Sequence, residues 1–384
     1  MRPLHIGLAA IGGKGWMGGA NYVRNLAAAI TAAAPESRIS WFCGDALAPE
    51  WRDTSAMHVL PNTSPVGRWF GLEKRVFRRA LERAGIDFVY PLTYDNSYNL
   101  GLDFPIRGAL GQVAWAGWIP DFQHRYLPEL FSEEELRWRD RQMRLLATEA
   151  RRVVLSSRTA MADFERFLPE HASKAALLTF RVAPVAPDTM SQEVSAEFAA
   201  PERFFLVCNQ FWRHKNHLVL FEALKLLHAR GVRPPVLCTG ALSDYRSDPY
   251  VASLQAMLRE SGFGEQVRLL GLIPREQQIS LMRRAIAIVQ PSLFEGWSTV
   301  VEDARAFGRP TILSDLPVHR EQCPPRATFF NPRSPEELAA RLDSAWAELP
   351  PGPDLAAESA AHALAIEQQQ VFGRDFLNLA ESLC

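Results

Sequence analysis

No apolar run in this chain approaches the roughly 20 residues that a membrane-spanning helix needs. Cysteine is scarce: Cys43, Cys208, Cys238, Cys323 and Cys384 are odd in number, and no two have C-x-x-C spacing. A disulfide framework or a zinc site is therefore not expected, and a reducing, cytoplasmic setting is the simpler one. Cys43, Cys208 and Cys238 lie in apolar runs and read as core residues. Net charge is nearly absent as well, with 42 Lys and Arg against 43 Asp and Glu. No global field draws the chain to nucleic acid, so no nucleic-acid partner is expected, and any anionic contact must be a local patch. The opening segment Met1–Ala10 is only briefly apolar and lacks a small-residue cleavage pattern, so Leu4–Ala10 reads as a buried strand and not as a signal peptide.

What is present is an ordinary globular composition, 47% hydrophobic and 22% charged over 384 residues. That length exceeds one typical core and suggests two domains. Short apolar runs alternate with amphipathic ones. Strands are expected at Leu4–Ala10, Ile39–Cys43, Phe88–Pro91, Val113–Ile119 and Val153–Ser156. Helices are expected at Asn21–Ala34, Gly71–Ala84, Glu133–Glu149 and Thr159–Phe167. Arg181–Pro201, rich in Pro, Ala and Ser, reads as a linker. The alternation then restarts, with strands at Phe204–Val207, Val236–Thr239, Val267–Leu270, Ile286–Gln290 and Thr311–Ser314. Helices follow at Leu218–Ala229, Tyr250–Ser261, Gln277–Arg284, Val300–Phe307, Ser334–Trp346 and Gly373–Leu383. This order predicts an α/β chain of two Rossmann-like domains, each a parallel sheet with helices on both faces. The expected division is 1–190, 191–365 and a C-terminal helix in 366–384. Open sheets of this kind bind ligands outside the carboxyl ends of their strands, so two domains facing across a cleft place a site between them.

Four stretches carry chemistry. The strongest runs from Pro291 to Pro310, after an apolar strand and into a helix. Ser298 or Thr299 caps that helix, and the free N–H groups behind them, aided by the helix dipole, suit a diphosphate. Glu295 sits on the loop just before, beside Gly296 and Trp297, where a carboxylate caps nothing obvious. Glu302 and Asp303 fall in the helix's first turn. Thr299-x-x-Glu302 also has the form of a capping box, which gives Glu302 a purely structural alternative. The second stretch, Val207–His217, delivers Asn209, Gln210, Arg213 and Lys215 from a strand end. A lysine there can neutralise charge developing on a leaving phosphate; a solvated basic loop is the plain alternative. The third, Ile11–Ala20, holds five glycines. Gly13-x-Gly15-x-x-Gly18 fits a dinucleotide fingerprint, although Asp45 follows Gly18 by 27 residues, later than the usual ~20. The fourth, Trp118–Phe131, puts Asp121 and His124 at another strand end, where either can bind a sugar or move a proton. Its structural alternative is a turn capped by Asp121.

The Pro291–Pro310 stretch resembles glycosyltransferase family 4, retaining enzymes with the GT-B fold. Pro291-Ser292, Glu295-Gly296-Trp297 and Gly308-Arg309-Pro310 match that family's pattern. The resemblance implies that Glu295 meets the donor sugar and that Lys215 lies on the diphosphate, with Gln210 where the family has arginine. Arg213 is a candidate to replace that missing charge. Gly18 and Gly19 are implied to approach the donor phosphate from the first domain. The family's two glutamates are separated by seven residues; counted from Glu295, that spacing falls on Asp303 and not on Glu302, and either is left to hold the ribose. Asp121 and His124 lie in a segment similar to one branch of the family. By the same resemblance Gly271-Leu-Ile-Pro274 lies near the nucleobase, Ser314–Glu321 is a familiar segment, and the C-terminal helix packs back on the first domain.

The function implied is transfer of a sugar, with retention, from a UDP- or GDP-sugar to a hydroxyl acceptor. The setting implied is cell-surface polysaccharide or glycan synthesis, with a glycan or lipid-linked acceptor. No Asp-x-Asp triplet occurs, so no metal and no other cofactor is expected, and fixed positive charge takes the metal's place. Segment 68–83 is basic and aromatic. It reads as a surface helix with Phe77 and Leu81 in the core, the second reading being peripheral contact with the inner face of an anionic membrane. The alternatives for the whole chain are a sugar-nucleotide epimerase or hydrolase of the same architecture, an NAD-dependent enzyme, and a non-catalytic sugar-nucleotide-binding protein.

Overall fold

The structure is a computed structural model that describes residues 3–13, 16–51, 54–61, 71–184, 198–243 and 249–384. Lys14 and Gly15 of the glycine loop, residues 68–70 of the basic segment and 185–197 of the linker lie outside the described residues. The chain divides into two compact units, Met1–Ala183 with Glu367–Cys384, and Pro184–Ile366.

The first unit holds one parallel sheet. Its strands are β1 (His5–Ala9), β2 (Arg38–Gly44), β3 (Met57–Leu60), β4 (Phe88–Leu92), β5 (Ala114–Ile119), β6 (Val153–Leu155) and β7 (Ala175–Leu177), in the order β3-β2-β1-β4-β5-β6-β7. Central β1 and β4 are buried at every position, as a sheet covered on both faces requires, and hence read as unbroken apolar runs. Edge strands β3 and β7 are short and mostly only half-buried; lacking such a run, they escape the sequence pattern. The helices include α1 (Met17–Ala33), α2 (Leu72–Ala84), α3 (Glu133–Glu149) and α4 (Arg158–Phe167). Ser132 caps α3 by accepting from Glu135 N at 3.1 Å, and three acids in the first turn complement the dipole. Phe77 and Leu81 of α2 are buried, which is the core placement expected of them.

The second unit repeats the plan with β8 (Phe205–Cys208), β9 (Val236–Thr239), β10 (Val267–Gly271), β11 (Ile288–Gln290), β12 (Thr311–Ser314) and β13 (Ala327–Phe330), all parallel, in the order β10-β9-β8-β11-β12-β13. Its helices include α5 (His217–Ala229), α6 (Tyr250–Glu260), α7 (Arg275–Arg284), α8 (Thr299–Ala306), α9 (Pro317–Gln322) and α10 (Pro335–Glu348). Side chains of β8 alternate between two cores. Phe205 and Val207 pack with Leu220 and Leu224 of α5, whereas Leu206 and Cys208 pack with Ile279 and Met282 of α7. In both sheets the connections reverse direction once, between β1 and β4 and between β8 and β11. Each reversal opens a crevice at the carboxyl ends of those strands.

The last helix, α11 (Leu355–Leu383), starts well before the expected Gly373. It begins in the second unit and ends in the first. In the first unit, a Cβ on Gly373 would stand 2.1 Å from Ala29 O. The Phe376 ring meets Phe88 and Tyr90 edge-on at 5.9 and 5.3 Å. Among the described residues no helix is long and apolar enough to cross a membrane.

Candidate functional site

The β8–β11 crevice is built by two loops stitched together. Leu293 N donates to His214 O at 2.7 Å, and Asn216 Nδ2 donates to Pro291 O at 3.0 Å. Asn209, just past β8, and Gln290, the last residue of β11, exchange two amide hydrogen bonds of 3.1 Å each. Between these ties the turn Arg213–Lys215 brings Lys215 against the loop that carries Glu295. Lys215 Nζ donates to Glu295 Oε1 at 2.7 Å, and Gln290 Nε2 and Ser292 Oγ donate to the same oxygen, each at 2.7 Å. Glu295 Oε2 takes none of these bonds.

Burial alone would push the Glu295 carboxyl up, but the Lys215 charge, His319 and the hydroxyl of Ser292 outweigh it and hold its pKa below the ordinary value. The Glu295 side chain is 7% exposed and that of Lys215 17%. A charge pair so enclosed is costly to break from one side. His319 of α9 stands behind it. Its Nδ1 donates to Ser314 O at 2.8 Å, and burial lowers its pKa. Its Nε2 is buried and has no partner among the described residues.

The start of α8 decides between two alternatives. Ser298, not Thr299, is the cap: its Oγ accepts from Val301 N at 3.3 Å. Glu302 then lies one residue too late for a capping box. Its carboxylate accepts from Gln322 Nε2 at 3.0 Å, with Arg305 3.6 Å away. Gln322 also takes Ser298 N and donates to Ser298 O. The amides of Thr299 and Val300 remain outside these bonds. Asp303 is 2% exposed and bound by Arg275 of α7. Glu302 and Asp303 thus turn toward different neighbours, α9 and α7, each with a protein partner. Arg213 turns to the Tyr250 ring, its guanidinium 5.4 Å from the centroid. Gln210, Gly296 and Trp297 flank the site and are partly exposed.

The remaining candidates belong to the first unit. Asp121 accepts from Gln123 N at 2.9 Å, as a turn cap does. His124 is 1% exposed and donates Nε2–H to Asp140 Oδ1 at 2.8 Å, leaving a buried Nδ1 without a partner. Burial lowers the His124 pKa against the pull of Asp140. Gly18 and Gly19 lie inside the first turn of α1, where the Trp16 indole covers them: a Cβ on Gly19 would stand 2.8 Å from that ring. The dinucleotide fingerprint fares poorly, since a Cβ on Gly13 would stand 1.9 Å from the Glu50 carboxylate, an anion where a phosphate loop needs none.

Sequence reasoning missed Gln290, His319 and Gln322, and took Ser292 only as part of the family pattern. Gln290 left one signal, a polar residue ending an apolar strand.

Residues 191–351 match the family described as Glycosyl transferases group 1. Over 131 residues the chain is 30% identical to the O-antigen chain mannosyltransferase RfbU of Salmonella typhimurium, covering 34% of this chain and 35% of that one. It is 28% identical over 191 residues to the putative glycosyltransferase EpsF of Bacillus subtilis, covering 46% and 47%. These matches span less than half of either relative. Among solved structures, HepE of Anabaena in complex with UDP aligns over 100% of both chains with a TM-score of 0.70 and 16% identity. A glycosyltransferase from Rickettsia africae aligns over 100% and 99%, with a TM-score of 0.71 and 13% identity. At such identities the likeness is one of fold, and that fold is GT-B, two Rossmann-like parallel-sheet domains.

Proposed function

We propose that this chain is a glycosyltransferase that moves a sugar, with retention, from a UDP- or GDP-sugar to a hydroxyl acceptor, without a metal. The observation that carries this reading is the Lys215–Glu295 pair at the carboxyl-end crevice of the second sheet. When the donor binds, the Lys215 ammonium faces the diphosphate and stabilises the charge that grows on it as the glycosidic C–O bond breaks. The amides of Thr299 and Val300 at the start of α8 add to this field. Glu295 Oε2 accepts from a hydroxyl of the sugar. The acceptor oxygen bonds to the anomeric carbon from the leaving-group face, and its proton passes to the departing phosphate. Asp121 and His124 serve the sugar substrates from the first unit. The O-antigen enzyme among the relatives supports a setting in surface-polysaccharide synthesis, with a glycan or lipid-linked acceptor.

The test is a melting-temperature screen of nucleotides and nucleotide sugars with EDTA present, on wild type and Lys215→Ala. Each protein is referred to its own ligand-free value. A ligand at a hundred times its Kd adds about 2.7 kcal/mol of stability. UDP or GDP, or their sugars, should stabilise the wild type and lose most of that effect in the variant. Glu295→Gln should lower the rate of transfer by about 100-fold or more. Stabilisation by NAD alone, or only with a divalent metal, overturns the reading. Nucleotide release that needs no acceptor makes the chain a hydrolase or epimerase instead.

A further inference from the structure

A second ion pair lies at the same sheet edge, and the chemistry above gives it no part. Arg275 opens α7, after β10; Asp303 lies on α8, after β11. Arg275 Nη1 donates to Asp303 Oδ2 at 2.6 Å and Nη2 to Oδ1 at 2.5 Å. The guanidinium therefore bridges from the β10 side of the edge to the β11 side, over the ends of the strands between them. Cys208, ending β8, lies in the field of both charges, and Gln278, one turn after Arg275, donates to Thr239 Oγ1 at the end of β9 at 3.1 Å. The bridge is contiguous with the site already described, because Asn209 follows Cys208 and is bound to Gln290, which holds Glu295.

The two partners are unequal. The Asp303 side chain is 2% exposed and that of Arg275 36%. Both oxygens of Asp303 accept from Arg275, so this carboxylate is already held and oriented by a protein partner. Arg275 has five N–H groups and spends two; the other three make no bond among the described residues. Burial works against its charge, but Asp303 prevails and raises its pKa, so the pair stays ionised. With its charge balanced by a bidentate partner, the guanidinium offers oriented donors and little net attraction for an anion. Such a fork suits neutral oxygens, a base carbonyl or a ribose hydroxyl, better than phosphate, which Lys215 serves.

We propose that Arg275 recognises the nucleoside portion of the nucleotide sugar, and that Asp303 is a positioning residue that acts through Arg275 without touching the ligand. This rests on the nucleotide-sugar reading given above. It also reassigns the ribose role that the sequence left between Glu302 and Asp303, since Glu302 faces α9.

Calorimetric titration of the full chain with UDP, GDP and inorganic pyrophosphate tests it, on wild type, Arg275→Lys, and the paired change Arg275→Met with Asp303→Leu. The paired change strands no buried charge and should melt within a few degrees of wild type. Arg275→Lys keeps the counter-charge and serves if the paired variant does not fold. The expected result is a loss of at least tenfold in affinity for the preferred nucleoside diphosphate in both variants, with pyrophosphate binding as in wild type. An equal loss for pyrophosphate would make Arg275 a phosphate ligand and overturn the proposal. Wild-type nucleotide affinity in both variants would reduce the pair to a brace and overturn it too. Failure of the wild type to bind any nucleoside diphosphate would sink the functional reading, and this one with it.

Discussion

His217 is a buried histidine with neither ring nitrogen hydrogen-bonded, stacked on Phe211 at 3.9 Å. Burial, with the nearby Lys215 charge, lowers its pKa from 6.5 to about 3. The unfolded chain therefore binds a proton here that the folded chain refuses. Stability from this residue is full above pH 6.5 and falls as the pH drops below it, by about 2 kcal/mol between pH 7 and pH 5. His217→Leu should remove that part of the acid loss, which denaturant titrations at the two pH values would register. Glu295 has the same sign at a lower pH: its pair stabilises above the ordinary glutamate range and is lost as acid protonates it. Glu295 and Lys215 were legible in the sequence because each sits in a short motif beside a strand end. Gln290, His319, Gln322 and Arg275 were not, because their roles depend on partners brought near only by folding. Glu302 shows the converse: its capping-box spacing was real in the sequence, but the cap formed one residue earlier.

At the scale of elements, burial decided what could be read. Strands β4, β8, β9 and β12 announced themselves as apolar runs because both faces of each are covered. Edge strands β3, β7 and β13 did not, since at least half of each stays partly open to solvent. The first half of α11 is rich in Ala, Glu and Gln and mostly exposed, so it has strong helical propensity but no apolar stripe. Two glycines are fixed by close packing. Gly308, matched to the family pattern, has φ +59 just past the end of α8, and a Cβ there would stand 2.7 Å from Ala357 O, so the need for glycine there is structural. At Gly373 the α11 backbone packs directly on Ala29 and Ala33 of α1. Gly373→Ala should cost about 1 to 3 kcal/mol by forcing the helices apart. Faster proteolysis of the final turns, with nucleotide binding in the second unit retained, would accompany the drop in melting temperature.

For the whole molecule, the shared helix has the largest effect. Phe372 packs with Phe180 and Tyr22, and Phe376 with Phe88 and Tyr90, so the end of the chain fills the first unit. Deleting 367–384 should leave nucleotide-induced stabilisation of the second unit in place while unfolding the first. Loss of the first unit's amide protection in hydrogen exchange would report it; full protection would refute it. The arrangement also orders events during synthesis. A chain made from its first residue onward reaches β7 long before Phe376 exists, so the first unit waits, with Phe88 and Tyr90 uncovered, while the whole second unit is translated. Its folding is thus non-local in sequence and slow to complete. A ribosome stalled anywhere before α11 would hold a nascent chain whose first unit is still open to chaperones and proteases.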